Sequence, residues 1–170
     1  MTLAKIENQQ ANLNRRTLLT AAGLAALAGI AACSTVSVPV GEGAGVSSSA
    51  TATLAGIRTS AGLPALVADA QLEQAALQQA GYMASRARMS HTTGWGKDFA
   101  SRMKGNGVRG AAAENIAEGR FDQQKVFDIW MHSAGHRRNM LDPDFSRFGL
   151  AYVRDGRDGA VRYWCLVLGA

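Results

Sequence analysis

The chain has no lysine-rich run and no basic stripe interleaved with aromatics, so nucleic-acid binding, which needs a concentrated positive footprint, has little support. Even the formal charge of +5 overstates its basicity. Residues 1–32 hold three of the 18 basic and one of the 13 acidic residues, which leaves 15 basic and 12 acidic groups, or +3. Cysteine is scarce as well: Cys33 and Cys165 are the only two, and their surroundings argue against a disulfide between them. The longest apolar run ends at Ala32 and is only a little over half of a membrane-spanning length. No internal repeat, nucleophile-elbow glycine pattern or zincin-type motif occurs. With 170 residues, the chain is one modest domain plus appendages.

What is present begins with a leader. Asn14-Arg15-Arg16-Thr17-Leu18-Leu19 opens an Ala/Leu/Gly run bounded by a basic segment and small residues, the composition of a signal peptide over residues 1–32. The paired arginines resemble a twin-arginine leader; a general secretory leader is the alternative. Ile30-Ala31-Ala32-Cys33 resembles a bacterial lipobox, which makes Cys33 the expected acylated N-terminus and the membrane its partner. Acyl chains hold a protein at a bilayer by about 0.8 kcal/mol per buried methylene. Ser34, rather than aspartate, follows the cysteine, which points to the outer membrane if the cell has one. Cys165 then has no partner and reads as a core thiol.

Residues 33–52, rich in Ser, Gly, Val, Ala and Thr, read as the lipidated cysteine and a flexible linker, with a folded domain over 53–170. In that domain Leu54, Ile57 and Arg58 suggest a short first helix ending near Ala61-Gly62. Asp69 caps a long helix whose buried stripe is Leu72, Ala76, Ala80, Met83 and Ala87, running to about Met89-Ser90. Asp98 to Lys104 allows a short helix stopped by Gly105-Asn106-Gly107. Asp122 caps another, with Phe121 and Val126 as a staple and Val126, Ile129 and Trp130 facing inward. Two alternating stretches, Phe148–Val153 and Val161–Leu168, flank a loop with two Asp-Gly pairs and read as an antiparallel hairpin. Helices followed by mostly terminal strands give an α+β layered domain.

The stretch Trp130 to Met140 concentrates the chemistry: His132, Ser133, His136, Arg137, Arg138 and Asn139. Ser133 has the character of an N-cap whose hydroxyl starts a helix at Ala134 and places His136 in its first turn. The i, i+4 spacing of His132 and His136 is interrupted by that cap and by Gly135, so His132 is a rim residue rather than half of a metal pair. Arg137 and Arg138 could meet an anionic ligand or form surface ion pairs. Asn115 and Asn139 read as amides that pin the fold.

Four features fall in register: Gly62-Leu63-Pro64 before the long helix, Ser90-His91 after it, Glu114-Asn115-Ile116-Ala117, and Trp130-x-x-Ser133-x-Gly135-His136-Arg137-x-Asn139-Met140-Leu141. Together they resemble the CAP superfamily of cysteine-rich secretory, antigen 5 and pathogenesis-related proteins, in its bacterial SCP-like branch. The resemblance spans about Thr53 to Gly169. It implies an α–β–α sandwich with a central antiparallel sheet and an open cavity bearing two histidines and two glutamates, where zinc or another divalent metal can bind. His91, Glu114 and His136 match three of those positions; Ser133 stands where the second glutamate is expected.

Two imidazoles and one carboxylate suit a zinc-like ion with water in the open position. Glu114 could instead orient a ligand or act as a base on bound water. A serine-hydrolase reading of Ser133, His136 and Glu114 lacks a nucleophile-elbow glycine pattern, and capping already accounts for Ser133. The expectation is an exported, lipid-anchored envelope protein that binds a lipid, glycan, peptide or protein ligand. The alternatives are a metal-assisted or Ser/His hydrolase acting on envelope material, with Glu114, His136 and Ser133 as catalytic candidates, and a structural envelope protein without a ligand.

Overall fold

The computed structural model describes residues 40–170; the leader, the lipobox and Cys33 lie outside the described residues. Ten elements follow in order. They are β1 (Val40–Gly45), α1 (Ser47–Ser60), β2 (Val67–Ala68), α2 (Ala70–Arg86), α3 (Phe99–Gly105), β3 (Ala112–Gly119), α4 (Gln123–His132), α5 (Ala134–Met140), β4 (Arg147–Asp155) and β5 (Arg162–Gly169). The sheet runs β1-β4-β5-β3, with these neighbours antiparallel, and the two-residue β2 adds a parallel pairing to β4.

Side chains alternate across a strand, and here both faces of the sheet are covered. Phe148, Leu150, Trp164, Leu166 and Leu168 pack with Leu54 of α1, Val126, Phe127 and Trp130 of α4, and Met140 of α5. Ala151, Val153, Cys165 and Val167 pack on the opposite face with Leu72, Ala76, Ala80 and Met83 of α2 and Met103 of α3. Helices on both faces of one mixed, mainly antiparallel sheet make the expected α–β–α sandwich.

Several local expectations hold by the stated chemistry. Asp69, Asp98 and Asp122 each accept a backbone N–H from the first turn of α2, α3 and α4. Others change. The domain starts before Thr53: from Val40 on, the stretch read as linker forms β1 and the first turns of α1. Its small residues are suited to an edge strand that contributes backbone pairing rather than bulk, and Gly43 packs close to Val153. The long helix stops at Arg86 because Ala87 turns left-handed (φ 45°) and its N–H closes back on Ala84. On α4 the buried partners of Trp130 are Val126 and Phe127, with Ile129 only half-buried. The hairpin is part of a five-stranded sheet, joined by β1, β2 and Ala112–Gly119, the last too small-sided to show a period yet a full strand.

Arg58 sets the position of α5. It is fully buried and donates to the carbonyls of Pro64, Met140, Asp142 and Phe145. Helix α1 therefore grips the end of the short helix that carries His136.

The β4–β5 loop closes on Asp155, whose carboxylate accepts from the Arg157 guanidinium (2.8 Å) and from the Arg157 backbone N–H (2.7 Å). The Arg157 hydrogen bond holds this carboxyl down to about 2. Such a group stabilises the fold above its unfolded value of about 3.9 and loses that contribution as pH falls toward 2. Asp155→Asn is therefore expected to flatten the fall of the melting temperature between pH ~4 and pH ~2, read by circular dichroism, and to leave its shape above pH 5 unchanged.

Candidate functional site

Strand β3 splits the site across the sheet. Glu114 and Asn115 are consecutive, so their side chains leave on opposite faces. Glu114 is buried on the α2–α3 side. Its Oε2 accepts from Arg102 Nη2 at 2.5 Å and from Cys165 Sγ at 3.5 Å. Its Oε1 lies 2.8 Å from His91 Nδ1. Asn115 turns to the α5 side, where its Nδ2 donates to the His136 carbonyl at 3.0 Å and its Oδ1 accepts from Asn139 at 2.9 Å. The two asparagines therefore pin the helix that carries the second histidine. β3 pairs with β5 alone among the described strands, so its other edge is free.

The electrostatics follow from this arrangement. Arg102 and Glu114 form an ion pair with side chains 1% and 2% exposed. Burial pushes the Cys165 thiol well up, so it stays protonated and donates to the carboxylate. Because a carboxylate only accepts, His91 donates from Nδ1 to Glu114, which leaves Nε2 as the ring nitrogen not engaged by the carboxylate. That ring is 55% exposed. His136 is less exposed; burial, and then the nearby His91, lower its pKa and favour the neutral form. His136 Nδ1 is buried without a hydrogen-bond partner among the described residues, and the ring lies edge-on to Trp130 at 6.5 Å.

The sequence-derived candidates are thus brought together only in part. His91 and Glu114 touch, and His136 lies near enough to His91 for the two rings to interact electrostatically. Both Glu114 oxygens are engaged, and no group of three His, Cys, Asp or Glu side chains gathers as a metal cluster among the described residues. Ser133 does end α4 and begin α5, yet its hydroxyl makes no capping bond; its carbonyl accepts from Arg137 N–H instead. Ser133 lines a shallow surface hollow with Lys125, Asp128, Ile129 and His132. His132 is exposed beside the same hollow, and its ring is hydrogen-bonded to the Asp128 carbonyl. Arg137 and Arg138 are exposed and make no ion pair among the described residues.

Arg102 was not visible in the sequence. Its spacing from Asp98 is i, i+4, which on a helix reads as an ordinary surface pair. Only its position under β3 turns it inward, where its Nε and Nη1 remain without partners among the described residues.

The comparisons agree with this architecture. The model of the cysteine-rich secretory protein family (CAP) matches residues 51–168, and the chain belongs to that family. YkwD of Bacillus subtilis is 35% identical over 101 residues, covering 58% of this chain and 39% of its own. The chain thus spans about two fifths of that relative. An outer surface protein from Borrelia burgdorferi superposes with a TM-score of 0.65 at 18% identity, covering 75% of this chain and 98% of its own. An extracellular protein containing an SCP domain from Bacillus anthracis gives 0.62 at 24% identity, covering 71% of this chain and 39% of its own. At those identities the structures establish the fold.

Proposed function

We propose that the protein is a non-enzymatic binding module of the bacterial cell envelope, exported by its leader and held at a membrane by acylated Cys33. The descriptions of its relatives as outer-surface and extracellular proteins support the location. The observation that carries the binding reading is the engagement of Glu114. A hydrolase of this design needs a carboxylate free to take a proton from water. Here that carboxylate is buried, paired with Arg102 and used to aim His91. Ser133 has no hydrogen bond to His136 that would activate it, so a Ser/His hydrolase is weaker still.

The same imidazoles are the part of the site that fits zinc or another divalent cation. A closed structural zinc centre takes four protein ligands and a catalytic one three. His91 and His136 supply two, with Glu114 orienting His91 from behind. Such a donor set suits an open, labile cation that adds charge at the cavity mouth.

The test mixes the full-length chain with isolated envelope material, with and without EDTA, and assays pellet and supernatant over time. Retention in the pellet without accumulation of soluble fragments is expected, in either condition. Fragment release that is lost in His91→Ala would overturn the reading, as would a chain that stays in the supernatant.

A further inference from the structure

The loop between α2 and α3 holds a recess of about 470 Å³ beside His91, lined by Arg86, Arg88, Ser90, Thr92, Thr93 and Gly94. Its charge is one-sided. Arg86 and Arg88 make no ion pair among the described residues. Lys97 stands on the other side of Gly94, its Nζ 4.2 Å from the centre of the Tyr82 ring. Two carboxylates are near. Glu118 accepts from Met89 N–H at 3.0 Å, and Glu114 is balanced by Arg102. Two guanidiniums thus line a cavity whose own lining holds no carboxylate, Glu118 lying outside it at the Met89 N–H.

A second observation points to a ligand. Thr93 is 9% exposed, and its Oγ1 is buried with no hydrogen-bond partner among the described residues. An unsatisfied buried hydroxyl costs about 1–3 kcal/mol unless something in the recess completes it. The third is Trp95, fully exposed at the next turn of the loop. Tryptophan normally buries a large apolar face, so a bare one next to a cationic recess is a platform for a flat partner.

We propose that this recess is a subsite for an acidic glycan. The carboxylate of a uronic acid unit is received by Arg86 and Arg88, whose planar forks match carboxylate geometry. Thr93 Oγ1 donates to the same unit, and the apolar face of a neighbouring sugar ring lies on Trp95. A bilayer fits less well. The exposed large apolar residues of this loop are Trp95 and Met89 alone, whereas interfacial binding uses a continuous apolar face. The inference rests on the binding reading above and names the ligand class for it.

Trp130 and Trp164 are buried, so red-edge tryptophan emission reports on Trp95. Titrating the full-length chain with a galacturonate hexamer is expected to shift that emission to the blue, with affinity falling as salt rises. The double variant Arg86→Gln/Arg88→Gln should bind about tenfold more weakly or worse, and Trp95→Ala should lose a similar factor by calorimetry, both with unchanged melting temperature. Equal binding of a neutral galactose hexamer overturns the proposal, as does affinity that survives in the variants. Capture by phosphatidylglycerol vesicles with no response to the hexamer overturns it in favour of a membrane surface. A chain that sediments with envelope material yet ignores the hexamer removes the subsite and keeps the binding reading; conversion of the hexamer to shorter products removes the binding reading.

Discussion

Replacing Arg102 by methionine is expected to cost about 3–5 kcal/mol, because it leaves the Glu114 charge buried without its partner. Nothing else in the Glu114 environment neutralises it permanently: Cys165 offers one weak donor, and His91 is half in solvent. Glu114→Leu is expected to cost a similar amount, since it strands a guanidinium that is already missing partners for two of its nitrogens. The double variant Arg102→Met/Glu114→Leu removes both charges and should recover most of the loss, because a buried ion pair is often no better than well-packed apolar groups. Urea unfolding of the four proteins completes the cycle and gives a coupling energy of several kcal/mol if the pair is as closed as the geometry indicates. Additive losses would mean that the two side chains act independently. The cycle also matters for function. A Glu114 variant that loses function through unfolding says nothing of the carboxylate's own role, so the double variant, folded but without the carboxylate, is the fair protein in which to test it.

Gly149→Ala is the second large effect. A Cβ at this position would stand 2.0 Å from the Glu73 backbone nitrogen and 2.1 Å from the Leu72 carbonyl carbon. Those are backbone atoms of the first turn of α2, and that turn is fastened in place. Asp69 N–H donates to the Phe148 carbonyl at 2.8 Å, and the Asp69 carboxylate pairs with Arg147 at 2.9 Å. The strand and the helix can separate only by breaking these bonds. A loss of about 3 kcal/mol or more is expected, at the upper end for overpacking, seen as a lower urea midpoint at unchanged slope. Gly81→Ala, inside α2 with open space around it, is the control and should stabilise by about 0.5–1 kcal/mol. If the two glycines respond alike, α2 does not rest on β4 as closely as described.

Much of this fold is legible from residue order. Helix caps are local chemistry, so Asp69, Asp98 and Asp122 mark their helices without tertiary information. The stripe Leu72, Ala76, Ala80 and Met83 and the alternation through β4 and β5 are periodic, and period is what sequence carries best. Strand β3 escaped because Ala-Ala-Ala-Glu-Asn-Ile-Ala has too few large side chains to display one. Strand β1 escaped because glycine and alanine look like linker when pairing to β4 cannot be seen. Ser133 misled for a related reason. Its residue type favours capping, yet in the turn from α4 into α5 its hydroxyl makes no bond to the first turn of the helix.

Residue order carries the family and, through that resemblance, the sandwich, and it marks His91, Glu114 and His136 as candidates, because motif spacing and helix chemistry are written along one chain. Packing settles how those residues are employed. Adjacent positions on β3 face opposite layers, so Glu114 goes to Arg102 and His91 while Asn115 goes to the helix of His136. Whether an arginine is a surface charge or a buried counter-ion depends on what lies above it. That is a fact of packing, and for Arg102 it is the strand edge overhead that removes water and turns a common residue into the anchor of the site.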